Sequence, residues 1–266
     1  MIFETHAHYE DEKFDEDRHT LLASMRKNGI GHIVNVGSTI ETSIKSIELA
    51  EQYDMVYAAV GVHPSEIACL DEAGMELLAN QAKHPKVAAI GEIGLDYYWE
   101  KDPSVREKQK DWFRRQLALA KDVQLPVIIH SRDAAEDTLA IMKEAYQMQI
   151  PGIIHCFSYS AELAQEYVRM GYYIGVGGVV TFKNAKKLKE VVSSVPLQSL
   201  LLETDCPYMA PEPYRGKRNS SLYLPYIAEK IAEIKGCTAE EVIAVTEQSA
   251  FDIYRIRRKQ PENALE

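Results

Sequence analysis

The chain has 266 residues, of which 46% are hydrophobic and 26% charged, and its formal net charge is −10. This length allows a large buried core, and the acidic balance argues against a protein that coats nucleic acid indiscriminately. No apolar run is long enough to cross a bilayer, and no basic leader precedes an apolar segment. The four cysteines are scattered without a C-x-x-C pair, which predicts reduced thiols in a cytoplasmic protein.

Eight short runs rich in β-branched residues recur along the chain, each followed by a segment with helical periodicity. The predicted strands cover 2–8, 32–37, 56–63, 87–96, 126–132, 152–158, 172–180 and 200–207. Helical patterns include 17–28, 42–53, 105–123, 134–147, 161–170 and 185–195, and two more helices follow the last strand. Gly29 and Gly171 are placed to end two of these helices.

Eight strand–helix units in a chain of this length predict an α/β fold, a single (β/α)8 TIM-type barrel with extra C-terminal helices. The alternative is a doubly wound open sheet, but no G-x-G-x-x-G motif follows the first strand. No linker-like stretch divides the chain. We therefore expect one barrel domain over residues 1–256 and a short polar tail over 257–266.

Residues of metal-ligand type lie at or near the ends of most predicted strands. They are His6, His8, His63, Glu92, Asp96, His130, His155 and Asp205. Alternate residues of a strand share a face, so His6 and His8 should point the same way, and barrel active sites form at this end of the strands. A lone histidine there is more often a structural group. Several imidazoles gathered with two carboxylates, however, are costly to bury without a cation, so the set predicts a metal centre.

The same alternation bears on two cysteines. Cys156 and Cys206 directly follow His155 and Asp205, so we expect both thiols to point away from the site and to pack in the core.

The chain resembles the TatD family of metal-dependent deoxyribonucleases, a branch of the amidohydrolase-like metallohydrolase barrels, through essentially its whole length. The matching stretches are, in order, "THAH", "GVHP", "GEIGLDYY", "IIHSRDA", "IIHCFS", "LLLETDCPY" and "RGKRNS". The resemblance implies a site for two divalent metal ions. It assigns one ion to His6, His8, Glu92 and Asp205, and the other to Glu92, His130 and His155, with Glu92 bridging.

Two positions depart from the family's pattern. Glu4 stands where the family usually has Asp, and Ser220 and Ser221 stand where it often has Glu-Pro. Position 4 should share the face of His6, so the longer acid can shift that end of the site. Neither departure removes a matched ligand.

Residue chemistry and resemblance both predict hydrolysis by metal-activated water. Asp205 is assigned as the general base, and Glu92 sets the spacing of the metals. Imidazole ligands favour Zn or Mn, whereas the family is associated with Mg, so the metal stays open between these.

Substrate contacts are expected from residues around the site. The loop after strand eight offers Arg215, Lys217, Arg218 and Asn219 for phosphate groups, and His63 belongs to the wider site. The run from Tyr97 to Trp99 could stack on a base or simply cover a loop.

The sequence therefore predicts a metal-dependent phosphodiesterase, a deoxyribonuclease that trims DNA ends. Its partner is DNA or an oligonucleotide, with no obligate protein partner. The alternative is an amide or carboxylic ester hydrolase on the same barrel. Many such relatives bridge their metals with a carboxylated lysine from strand four, where this chain has Glu92. A non-catalytic binding protein is disfavoured by the intact ligand set.

Overall fold

The computed structural model describes residues 1–257, in which eight strands form one parallel sheet. The strands are β1 (Ile2–Ala7), β2 (Ile30–Val36), β3 (Val56–Val60), β4 (Val87–Asp96), β5 (Val127–Arg132), β6 (Gly152–Ile154), β7 (Tyr173–Val176) and β8 (Leu200–Leu202). Each strand pairs with the next along the chain, and a bridge from Ala7 to Cys206 joins β1 to the segment after β8. The sheet is therefore a nearly closed barrel, which confirms the predicted fold over the open sheet.

Nine α-helices lie within the described residues. They are α1 (Arg18–Ser24), α2 (Ile40–Gln52), α3 (Glu72–Gln81), α4 (Pro103–Val123), α5 (Ala135–Gln147), α6 (Ala161–Arg169), α7 (Lys186–Ser194), α8 (Leu224–Lys235) and α9 (Ala239–Tyr254). The first seven connect successive strands, and α8 and α9 follow β8 as expected. Within residues 1–257, no helix combines the length and apolar character needed to cross a membrane.

Predicted boundaries agree best in the middle of the chain. The predicted strand 87–96 coincides with β4, whereas β6 and β8 end earlier than expected, at Ile154 and Leu202. Beyond these two strands the backbone turns left-handed, with φ of 45° at Cys156 and 55° at Asp205. The polar residues after β6 and β8 therefore stand on turns, where side chains no longer alternate strictly between two faces.

Helix ends follow local capping chemistry. Gly29 (φ 86°) ends the turn that follows α1, as predicted, although that turn is a 3-10 segment and α1 is shorter than 17–28. Helix α3 lies between β3 and β4, where a helical segment was expected without stated bounds, and it begins where the Asp71 carboxylate accepts a hydrogen bond from the Gly74 amide (2.8 Å). Apart from residue 257, the predicted polar tail lies outside the described residues, and the domain boundary at 256 stays a prediction.

Helix α9 covers the N-terminal end of the barrel. Its apolar side chains Phe251 and Tyr254 form one buried cluster with residues near the starts of several strands, including Phe3, Ile128, Ile153 and Leu201. The Tyr254 hydroxyl also donates a hydrogen bond to the Thr5 carbonyl (2.8 Å). The polar residues gather at the C-terminal end of the barrel, which α9 does not cover.

Candidate metal centre

Backbone hydrogen bonds between neighbouring segments continue beyond the ends of the strands and fix the positions of the candidate ligands. The Asp205 amide donates to the His6 carbonyl (2.9 Å), and the His8 amide donates to the Cys206 carbonyl (2.9 Å). The Glu92 amide donates to the Gly37 carbonyl (3.0 Å). Ligand positions that are distant in sequence are therefore held by the sheet itself.

The first group of candidate ligands brings His6 and His8, at the end of β1, next to Asp205, which follows β8. The Nε2 atoms of His6 and His8 lie 3.0 Å apart, so the two imidazoles point the same way, as predicted. Asp205 Oδ1 lies 3.2 Å from His8 Nε2 and 3.8 Å from His6 Nε2. Imidazole nitrogens and a carboxylate oxygen this close together match the donor types of a divalent metal site.

The second group of candidate ligands forms around one carboxylate oxygen of Glu92, Oε1. Glu92 Oε1 lies 2.9 Å from His130 Nδ1, 3.7 Å from His155 Nε2 and 3.9 Å from His63 Nε2. His63 was assigned to the wider site, and the structure places it beside Glu92 and His130 as a candidate ligand. Glu92 Oε2 faces the first group instead, 3.4 Å from His6 Nε2. One carboxylate thus lies between both groups.

Three carboxylates outside the predicted ligand set lie beside the imidazoles. Glu203 Oε2 lies 3.2 Å from His155 Nδ1, Asp96 Oδ2 lies 3.1 Å from His130 Nε2, and Glu10 Oε1 lies 3.4 Å from His8 Nδ1. The nearer partner of His8 Nδ1 is the Val36 carbonyl (2.8 Å), which orients that ring. Carboxylates in these positions fix the ring orientation of histidine ligands and raise their basicity.

The sequence carried a usable signal for two of the three carboxylates. Glu203 precedes Asp205 by two positions, so strand alternation puts both on one face. Asp96 was singled out near the end of strand four without being given a role. Glu10 lies in an acidic run, where nothing in the sequence distinguishes it from its neighbours.

The surrounding charges keep the two central carboxyls ionised. Burial opposes ionisation of Glu92, but the charge of His155 and the hydrogen bond from His130 outweigh it and hold the pKa of Glu92 well below its usual range. Asp205 is also buried, yet its hydrogen bond with His8 and the charge of His155 lower its pKa. Both groups are therefore available at neutral pH as anionic ligands or proton acceptors.

The pKa values of the imidazoles shift in opposite directions, depending on the charges around each ring. Burial lowers the pKa of His155, but the charges of Glu203 and Glu92 prevail and raise it to about 9. At His63, burial and the charge of His130 outweigh the charges of Glu92 and Asp96 and lower the pKa to about 4. The neighbouring carboxylates thus favour positive charge on some of the imidazoles, and a bound cation would replace those protons.

Cys156 corrects the sequence prediction. Its thiol was expected to point away from the site, but its sulfur lies within 4.8 Å of ligand atoms of both His155 and Asp205. The alternation rule fails because β6 ends at Ile154 and Cys156 adopts a left-handed backbone. Cys206 is fully buried, as expected, and belongs to none of the candidate ligand groups among the described residues.

The two departures from the family pattern meet in space. Glu4 Oε1 accepts hydrogen bonds from the His6 and Thr204 amides (3.2 and 2.9 Å), and Oε2 accepts from the Thr204 and Ser221 hydroxyls (2.6 and 2.9 Å). Burial raises the pKa of Glu4 to about 8 despite these bonds. Glu4 therefore ties β1 to the segment that carries Asp205 and to Ser221.

Arg218 is engaged by the acidic segment near the start of the chain. Its two terminal nitrogens lie 2.8 and 2.6 Å from the oxygens of Asp17, and one of them also donates to the Lys13 carbonyl (2.7 Å). The hydrogen bond from Arg218 lowers the pKa of Asp17. A phosphate could reach this guanidinium only in competition with Asp17, so the assignment of Arg218 to substrate stays a prediction.

The other three residues of this loop that were predicted to contact phosphate have different surroundings. Asn219 is fully buried, and its amide nitrogen donates to the Thr204 and Tyr208 carbonyls (2.9 and 2.7 Å), which braces the loop. Arg215 is exposed and stacks over Phe182, with its guanidinium carbon 4.3 Å from the ring centre. Lys217 is exposed. Their roles toward a substrate also stay predictions.

Comparison with known proteins agrees with this geometry. A family model described as TatD related DNase matches residues 3–255. The uncharacterized metal-dependent hydrolase YabD of Bacillus subtilis is 46% identical over 96% of this chain and 100% of its own. The 3′-5′ ssDNA/RNA exonuclease TatD of Salmonella typhimurium is 31% identical over 96% of this chain and 99% of its own.

A solved structure gives the same result. The crystal structure of YjjV, a TatD homologue from Escherichia coli, superposes with a TM-score of 0.90 at 31% identity, covering 96% of this chain and 98% of the other. The barrel and its clustered histidines and carboxylates define the class of metal-dependent hydrolases. Within that class, the chain belongs to the TatD-related DNase family.

Proposed function

We propose that this protein hydrolyses phosphodiester bonds and trims single-stranded ends of DNA at a site for two divalent metal ions. The observation that carries the proposal is the position of Glu92, whose two oxygens face His6 on one side and His130 on the other. A carboxylate so placed suits a pair of ions a few ångströms apart. The name of the Salmonella relative supports a strand end as the substrate.

The donor set fits such ions. His6, His8 and Asp205 would hold one ion. His130 and His155, which both lie near Glu92 Oε1, would hold the other with His63 adjacent, and Glu92 would serve both. When bound, two divalent ions supply Lewis acidity toward a phosphoryl oxygen and lower the pKa of a water molecule. The mixture of imidazole and carboxylate donors is compatible with Zn, Mn or Mg.

Asp205 is the group best placed to accept the proton of the attacking water. Its pKa is lowered, so it is ionised at neutral pH, and its side chain is 16% exposed and so reaches the open end of the barrel. The hydrogen bond with His8 holds the carboxylate in place. Glu203 and Asp96 keep the imidazoles of His155 and His130 oriented, and the Val36 carbonyl does so for His8.

A cleavage assay tests the proposal. Metal-loaded protein is incubated with end-labelled single- and double-stranded oligonucleotides, beside a panel of amides and carboxylic esters. We expect single-stranded oligonucleotides to shorten stepwise and a chelator to stop the reaction. Turnover of an amide or ester without any nucleolytic product would overturn the proposal in favour of the other hydrolase chemistry. Cytoplasmic location and independence from a protein partner stay predictions.

A further inference from the structure

A crevice of about 320 Å³ opens between the segment after β3 and the segment after β4. Apolar parts of its lining come from Pro64, Ile67 and Val105, and the ring of Trp99 forms part of its wall. Trp99 is 71% exposed, and the neighbouring Tyr98 is 43% exposed. Aromatic surface left open beside an apolar crevice is typical of a contact site for a ligand.

Cationic groups lie beside these two rings. The Arg132 guanidinium carbon lies 3.9 Å from the centre of the Tyr98 ring and 5.7 Å from that of Trp99. Lys108 lines the crevice, as does the acidic Glu100. Arg132 is exposed at the end of β5, two residues beyond His130. Aromatic faces next to such cations form the arrangement that binds single-stranded nucleic acid, because bases stack on the rings while phosphates approach the cations.

A buried carboxylate connects this crevice to the metal centre. Asp96 Oδ1 accepts hydrogen bonds from the Tyr98 and Trp99 amides (2.9 and 3.0 Å), while Oδ2 lies 3.1 Å from His130 Nε2. Asp96 also lines the crevice. The position of the Trp99 backbone is therefore fixed by the same side chain that orients a candidate metal ligand.

Tyr97 has a different role from its two neighbours. It is buried, its hydroxyl donates to Asp137 (2.6 Å), and the Arg106 guanidinium covers its ring at 4.4 Å. This residue anchors the loop to the barrel. The two aromatic residues that follow it are left to face solvent.

We infer that the crevice is a subsite for an unpaired nucleobase, which stacks on Trp99 while Arg132 contacts a phosphate of the same strand. The inference rests on the proposed function and adds to it the group that selects the substrate. A base inside a duplex has its faces covered by neighbouring base pairs, whereas an unpaired base at a strand end can leave the stack and enter the crevice. The subsite thus favours single strands and frayed ends.

Intrinsic fluorescence tests the subsite without relying on turnover. The chain has two tryptophans, and the second, Trp112, packs under Arg115 on α4. Trp112→Phe leaves Trp99 as the only tryptophan, which is excited selectively over the tyrosines, and Trp99→Phe leaves Trp112 as the matched control. Each variant, loaded with metal, is titrated with slowly hydrolysed phosphorothioate oligonucleotides that carry either bases or abasic residues, and binding is followed separately by anisotropy of the labelled strand.

We expect bases, but not abasic residues, to quench the emission of Trp99, and neither strand to quench Trp112. Binding without quenching of Trp99, or equal quenching by the abasic strand, would overturn the inference. The titration is repeated with ribo-oligonucleotides of the same sequence. Quenching of Trp99 by either polymer supports the subsite. The polymer that binds with the lower Kd shows whether the base comes from DNA or from RNA.

Steady-state kinetics give a second readout. Trp99→Ala should raise KM for a base-containing strand roughly 10-fold with little change in kcat, since stacking contributes to ground and transition states alike. Trp99→Phe should keep KM within about threefold of the original, because an aromatic face remains. An unchanged KM in Trp99→Ala would overturn the subsite while hydrolysis upheld the proposed function. Quenching of Trp99 without hydrolysis of any strand would support the subsite and overturn the proposed function.

Discussion

The carboxylate of Glu203 and the imidazole of His155 face each other in the interior of the barrel, with Oε2 3.2 Å from Nδ1 and both side chains almost fully buried. The other oxygen of Glu203 accepts a hydrogen bond from the Cys156 amide (2.6 Å). Glu203 therefore holds both the ring and the backbone of the segment that carries His155, and the opposite ring nitrogen is directed at Glu92.

This contact predicts the effect of Glu203→Gln. The amide keeps the shape of the side chain but loses the charge that orients His155 and raises its basicity, so metal affinity should fall by about 10- to 100-fold. Calorimetric titration of the metal-free protein measures the change. Activity should return when excess metal is supplied. The exposed Glu190→Gln serves as the control, and equal affinities in both variants would contradict the role of Glu203.

Asp205→Asn tests the assignment of the general base. Asparagine keeps the size of the side chain but cannot take a proton, so turnover should fall by on the order of 10²-fold or more, whereas substrate affinity should change much less. Because Asp205 is also a candidate ligand, metal content must be measured in the same samples. Near-normal turnover at full metal occupancy would remove Asp205 from the base role.

Arg218 and Asp17 form a pair whose members should act in opposite directions. If Arg218 contacts a phosphate flanking the scissile bond, Arg218→Ala should raise KM with kcat nearly unchanged, and Asp17→Asn should lower KM by freeing the guanidinium. Loss of one phosphate contact on a single strand should also flatten the slope of log affinity against log salt by roughly 0.7. If neither variant alters KM or the salt slope, the pair is only a surface link between two loops.

Glu4 predicts a pH dependence of stability. Its pKa is about 8 in the folded chain against an ordinary value of 4.5. Below the ordinary value both states are protonated. Between the two values the unfolded chain loses a proton that the folded chain retains, so this group's contribution to stability declines as pH rises and is lost above the folded pKa.

Glu4→Gln should remove that decline, because glutamine stays neutral and can accept from the two amides while donating to the two hydroxyls. Urea unfolding of the metal-free proteins at pH 5, 7 and 9 measures the difference. We expect the variant to gain stability relative to the natural chain as pH increases. Parallel stability curves for the two proteins would show that Glu4 is charged in the folded state.

Sequence patterns predicted the features that depend on short-range regularity. The alternation of side chains along a strand correctly predicted that His6 and His8 point the same way. The predicted bounds of β4 were also correct. Where regularity ends, the same rule failed, as at Cys156, whose left-handed backbone turns the thiol toward the site.

Contacts between distant parts of the chain were beyond sequence patterns. Arg218 and Asp17 are 201 residues apart, and no periodicity or motif relates them. Glu203 was overlooked although its spacing from Asp205 offered a signal, because its role depends on a partner that the sequence does not identify. Its partner, His155, comes from a different strand, and only the closed sheet brings the two together.

The closure of the barrel has a consequence for how the protein is made. Asp205 and helix α9, which seals the opposite end of the barrel, follow His6 in the chain and are therefore synthesised after it. The first strand must therefore wait, unpaired on one edge, until the last strand and helix leave the ribosome. Because the first group of candidate ligands needs Asp205 beside His6 and His8, its metal affinity should appear only late during synthesis.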